Sequence, residues 1–166
     1  MSREVSLHVY TSVAAKCAII AVALFFALMP VFVSSAQLYW GENNVPMERI
    51  ALHVVDDIMF VALGFMISSA FEAFDVMQDV LRDNQPFPTF GMSFTTVSCL
   101  SGILCLGFLM SYFSVQTDFV SDAQRSIPFL PWMFLAVSST VGGAVVSQLS
   151  FTYRRARRYY QQQSVV

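Results

Sequence analysis

The sequence predicts an all-α fold, an integral membrane four-helix bundle with both termini cytoplasmic. Composition is the first ground. Of 166 residues, 56% are hydrophobic and 12% are charged, and the mean hydropathy is +0.60, far from the averages of soluble domains. Segmentation is the second: four apolar runs each approach the roughly 20 residues that cross about 30 Å of hydrocarbon. The third is the placement of Lys and Arg, which sets direction.

The first span covers residues 17–40, starting after Lys16 and ending on Tyr39 and Trp40 as an aromatic belt would. Pro30 predicts a kink within it. Arg3, Lys16, an apolar run and "VSSA" before Gln37 also fit a secretory signal with a small-residue cleavage site. The run is longer than a signal core, so a retained helix is the expectation. The second span covers residues 47–71, behind Pro46 and with Glu48 in its first turn, and its uncharged centre is 58–71. An amphipathic extension reaches residue 84 in "FEAFDVMQDVLRDNQPF". There Phe71, Phe74, Met77 and Leu81 recur at helical spacing between Glu72, Asp75, Asp79 and Asp83, and the helix must end before Pro86. This extension lies on the inner membrane surface or against the bundle, with its acids solvated or attracting the basic "RRARR". The third span is 90–115 and the fourth 127–153, with Trp132 near its start. Short connections predict antiparallel neighbours. Residues 154–166 read as a basic, then polar tail whose "QQQSVV" is disordered. With no internal repeat, residues 1–166 form a single transmembrane domain.

With the N-terminus inside, the cytoplasmic side carries seven cations (Arg3, Lys16, Arg82, Arg154, Arg155, Arg157, Arg158) and five acids, a net +2. The outer side carries two cations, Arg49 and Arg125, against six acids, a net −4, and the two sides recover the chain's −2. Positive charge inside is the rule for multi-pass membrane proteins. No basic-aromatic interleaving points to nucleic acid. Cys17, Cys99 and Cys105 all sit in apolar runs and read as small membrane-buried residues, not as a disulfide or metal set.

The stretch "RIALHVVDDIMFVALGF" places His53, Asp56 and Asp57 in the early turns of the second helix, at its outer end. Spacings of i,i+3 and i,i+4 let the imidazole reach one carboxylate, so the cluster can hold a proton or contribute to a metal site. The alternative is a hydrated helix end at headgroup depth, paired with Arg49. Four spans with outer acids are also similar to the lipoprotein signal peptidases, which use a membrane-embedded aspartate pair. Neighbouring residues on a helix diverge by about 100°, so Asp56 and Asp57 cannot share one water, and a second acid such as Asp118 or Asp122 would be required. The Asn and Gly motifs of that family are missing. A bis-histidine haem is excluded because His8 and His53 are predicted on opposite sides of the membrane. Cys99 and Cys105 are not a Cys-x-x-Cys pair. The first helix lacks the embedded acid of small multidrug exporters, and the first outer loop lacks claudin cysteines. No catalytic residue, cofactor or metal is assigned.

Small residues mark the third and fourth spans. Ser98 to Gly102, Ser139 to Gly143 and Gly143 to Ser147 are four-residue spacings that let backbones approach, within the bundle or between copies. Gly107, Ser138 and Gly142 belong to the same group, and Gln148 is expected to bond a neighbouring helix or to sit at the inner interface. Arg154, Arg155, Arg157 and Arg158 anchor the inner end and can additionally contact anionic lipid or an acidic partner. In a eukaryotic host, Ser164, Val165 and Val166 would fit carboxylate capture by a PDZ domain.

The inner loop "VLRDNQPF" adds a resemblance. Leu81, Asn84 and Phe87 match a branched apolar residue, a polar turn and a phenylalanine leading into the third helix. With the four-span layout, this resembles a family of small bacterial integral membrane proteins catalogued as domain of unknown function 2975. The basic ending departs from the acidic-apolar ending common there. The resemblance implies a protein of the bacterial plasma membrane with undefined activity. The functional expectation is therefore a non-enzymatic protein acting through interactions, as accessory subunit, regulator or self-associating component, with the lipid bilayer and other membrane subunits or itself as partners. The alternative is a small transporter or a proton- or metal-responsive protein using His53, Asp56 and Asp57. A membrane-embedded aspartyl hydrolase comes third.

Overall fold

The computed structural model describes residues 3–41, 47–115 and 130–163. Among these are four α-helices and no strand: α1 (Arg3–Gly41), α2 (Met47–Arg82), α3 (Thr89–Val115) and α4 (Leu130–Gln163). Each holds a stretch long and apolar enough to cross a membrane: Ser6–Gln37, Asp57–Arg82, Thr89–Met110 and Leu130–Tyr160. The all-α class and the four apolar helices are thus as the sequence predicts.

The helices outrun the expected spans. With 39, 36 and 34 residues in α1, α2 and α4, they reach about 50–60 Å at 1.5 Å per residue. Much of the excess collects at one end, where the start of α1 meets the ends of α2 and α4. Helix α1 begins at Arg3, not near residue 17, and α4 continues past residue 153, so "RRARR" is helical and residues 161–163 still follow it. Arg, Gln and Glu are good helix formers, so the ladder has no reason to stop where charge begins. Residues 164–166, with the PDZ-like ending, lie outside the described residues. Pro30 falls within α1 without ending it.

Helix α4 is the central element. It packs most extensively on α3, then on α2 and α1, while α1 meets α2 more sparingly. One apolar cluster joins Val55, Met59, Ala62 and Leu63 of α2, Cys105 and Leu109 of α3, and Met133, Ala136 and Val137 of α4. A second, at the other end, joins Ala73, Val76 and Val80 of α2 to Phe151 of α4. Apart from Phe151 and Met59, which are fully buried, many large apolar side chains point outward: Phe25, Phe26, Phe32, Phe60, Phe90, Leu100, Leu104, Trp132 and Leu135 are exposed.

That pattern shows which side of the α2 extension meets the bundle. The face of Phe71, Phe74 and Leu81 is exposed, and the side packed on the bundle is Ala73, Val76 and Val80. Small and β-branched residues let α2 approach α4, whereas a phenylalanine face would hold it off. The extension continues α2 and packs on the bundle. It ends in a Schellman-type turn: Gln85 N–H donates to Val80 O at 3.1 Å around Asn84, whose φ is 48°. Asparagine tolerates this left-handed position, and Pro86 forbids further helix. The loop "VLRDNQPF" is therefore a helix stop, and Met92 N–H donates to Pro88 O as α3 begins.

Candidate functional site

Where the start of α1 meets the ends of α2 and α4, charge from all three converges. Glu72 is the hub. Lys16 of α1 donates from Nζ to Glu72 Oε2 at 3.4 Å, and Arg155 of α4 approaches Glu72 Oε1 at 4.0 Å. Arg155 also faces Asp79 Oδ2 at 3.9 Å, about two turns further along α2. The Glu72 side chain is 13% exposed and that of Asp79 52%, so the two carboxylates are not equivalent. Buried opposite charges attract strongly but each loses hydration, and Glu72 offsets that loss by sharing two cations.

The remaining arginines face elsewhere. Arg154 donates from Nη2 to the carbonyl of Pro86 in the α2–α3 turn. Arg158 Nη2 is buried with no hydrogen-bond partner among the described residues. Arg157 is exposed. His8 of α1 stacks on Tyr160 of α4, with ring centroids 4.9 Å apart and planes 14° apart, and Val9 beside it is buried. The start of α1 is thus fixed to α4 by a ring stack and to α2 by an ion pair.

A polar seam runs from this cluster into the bundle. Gln148 Nε2 donates to Ser68 Oγ at 3.2 Å, bonding α4 to α2 as expected of a glutamine in a span. Thr95 and Ser147 hydroxyls share a hydrogen bond of 2.6 Å between α3 and α4. Ser98 Oγ donates to Thr140 O at 2.7 Å, and Thr140 Oγ1 donates to Ala136 O while lying 3.7 Å from Cys105 Sγ. Ser69 Oγ is buried without a hydrogen-bond partner among the described residues. These bonds let α3 and α4 approach closely. A Cβ on Gly143 would stand 3.0 Å from Phe94 O and 3.1 Å from Ser98 N. Ser98, Gly143 and Ser147 form this contact, Gly102 faces the Met66 side chain of α2, and a Cβ on Gly107 or Gly142 would meet nothing within 4 Å.

The outer cluster is described only in part. His53 and Asp56 stand on α2, but their side chains lie outside the described residues, as do Asp118 and Asp122. Asp57 is half-buried. Among the described residues no three His, Cys, Asp or Glu side chains converge as a metal site, and Cys17, Cys99 and Cys105 are free thiols. Sequence reasoning missed Lys16–Glu72 and Thr95–Ser147. The signal for the first was available: the apolar runs of α1 and α4 end at Lys16 and Arg154, and Glu72 ends that of α2.

No protein-family model, curated protein or solved structure matches the chain, so the geometry alone carries the functional reading.

Proposed function

We propose that the chain is a multi-pass protein of the bacterial plasma membrane, with both termini cytoplasmic, that acts through contacts within the bilayer and not by catalysis. The observation that carries this reading is the state of α1. Only Val9, Ile20 and Val31 of its described apolar side chains are buried, while Ile19, Val22, Phe25, Phe26, Met29, Phe32 and Val33 are exposed. In lipid no hydrophobic force holds a helix to its neighbours; packing and polar bonds do. Helix α1 packs thinly along its length and is pinned near its start by Lys16 and His8, so it is the helix best suited to take a further membrane protein or a second copy as a neighbour. A photo-crosslinking residue at Phe25, set beside one at the equally exposed Leu104 of α3, tests this in cells. Discrete protein adducts from position 25 alone support it; no protein adduct from either position contradicts it.

A second reading keeps the outer cluster as a proton- or metal-responsive element. Asp57 precedes Glu72 by fifteen positions, roughly 22 Å along a helix, short of the roughly 30 Å of hydrocarbon. With Glu72 at the inner boundary, half-buried Asp57 falls below the outer one, a depth at which ionisable residues usually serve a function. Thermal unfolding of wild type, His53→Ala, Asp56→Asn and Asp57→Asn across pH and with zinc decides this. A wild-type shift lost on substitution supports it, and four equal responses remove it.

A further inference from the structure

We propose that Arg154 and Arg158 form a binding site for the phosphodiester of an anionic phospholipid headgroup; the assignment rests on the membrane reading above. The two stand one turn apart on α4, close enough for their charges to repel. Arg155 turns away to Glu72 and Asp79. Among the described residues, no acid pairs with Arg154, Arg157 or Arg158. The carbonyl of Pro86 positions Arg154 but neutralises no charge. Arg158 is half-buried, and among the described residues its covered Nη2 has no hydrogen-bond partner and its guanidinium no acid. Among the described residues, these two neighbouring, partly desolvated guanidiniums have no anion. Their planar forks match the oxygens of a phosphate.

Depth and surroundings favour a lipid as its source. The uncharged stretch 130–153 of α4 extends about 36 Å and ends immediately before Arg154, which puts both arginines at headgroup level. Tyr153 and Tyr159 are exposed beside them, the combination of aromatic and basic side chains that marks a membrane interface. Exposed Arg157 meets only the diffuse negative potential of the leaflet.

The test uses the full chain in an uncharged detergent, with thermal unfolding followed as phosphatidylglycerol, phosphatidylcholine or inorganic phosphate is added. Phosphatidylglycerol is expected to raise the Tm of wild type and Arg157→Gln alike, and the rise should be roughly halved or lost in Arg154→Gln and Arg158→Gln. Arg158→Lys, which keeps the charge and loses the fork, should fall between and serves if a glutamine variant does not fold. Phosphatidylcholine and inorganic phosphate should do little. An equal loss in all three glutamine variants, or no wild-type response, overturns the site. An inorganic-phosphate shift as large as that of the lipid overturns the lipid as occupant. Carbonate extraction separates the two claims: a chain retained in membranes but indifferent to phosphatidylglycerol loses only the site, while one released by carbonate loses the membrane reading.

Discussion

Glu72 shows how a single carboxylate can tie three helices together. It is nearly covered and lies between Lys16 and Arg155, whereas Asp79 meets Arg155 from a half-exposed position. Replacing Glu72 by Gln takes its carboxylate from the partly covered Lys16 and leaves Arg155 only Asp79, and should cost roughly 1–3 kcal/mol. Asp79→Asn should cost less than about 1 kcal/mol, because water screens an exposed pair. Unfolding by SDS titration checks the order; equal losses would mean that Glu72 is no hub. At this scale the sequence was informative where chemistry forces a partner, as for Gln148, whose buried amide must bond a neighbour. It was uninformative where the partner depends on helix register. Lys16 and Glu72 are 56 positions apart, and their meeting follows from how deep α1 and α2 sit relative to each other.

Helix packing here turns on size more than on hydrophobicity. On α2 the exposed Phe71, Phe74 and Leu81 and the packed Ala73, Val76 and Val80 are both apolar, so periodicity alone does not say which side meets the bundle. In an apolar solvent, side-chain volume is the better guide, because close backbone approach is what holds helices together. The same rule separates two adjacent glycines of α4. A methyl group added to Gly143 would meet the backbone of α3 at 3.0 Å, and one added to Gly142 would find nothing within 4 Å. Gly143→Ala should force α3 and α4 apart at a cost of roughly 1–3 kcal/mol. Gly142→Ala should be neutral or stabilising by up to about 1 kcal/mol, since alanine favours helix. Measured stabilities in the reverse order would contradict the α3–α4 contact. The small residues were legible in the sequence, but not which of them face another helix: a Cβ added to Gly107 or Gly142 would meet nothing within 4 Å, whereas one added to Gly143 would meet α3.

Among the described residues, α4 gathers the other helices, α1 packs on it thinly, and an ionic cluster ties the start of α1 to the ends of α2 and α4. Class and helix number were readable because long apolar runs have few alternatives. Helix ends were not, since the charges at Lys16 and Arg154 end an apolar run but not a helix, and the polar turns beyond them meet in contacts such as the His8–Tyr160 stack. Spacing alone suggests that His53, Asp56 and Asp57 cluster, and it does not make them a site, because depth and facing depend on how α2 sits among its neighbours. The central claim is that the chain crosses the membrane with its ionic end in the cytoplasm. Cysteine accessibility in intact cells tests it most directly, using a variant with Cys17, Cys99 and Cys105 replaced and a single cysteine at Ser121 or Gln162. A membrane-impermeant maleimide should label Ser121→Cys in intact cells and Gln162→Cys only after permeabilisation. Labelling of Gln162→Cys from outside, or of neither position until permeabilisation, would contradict the account.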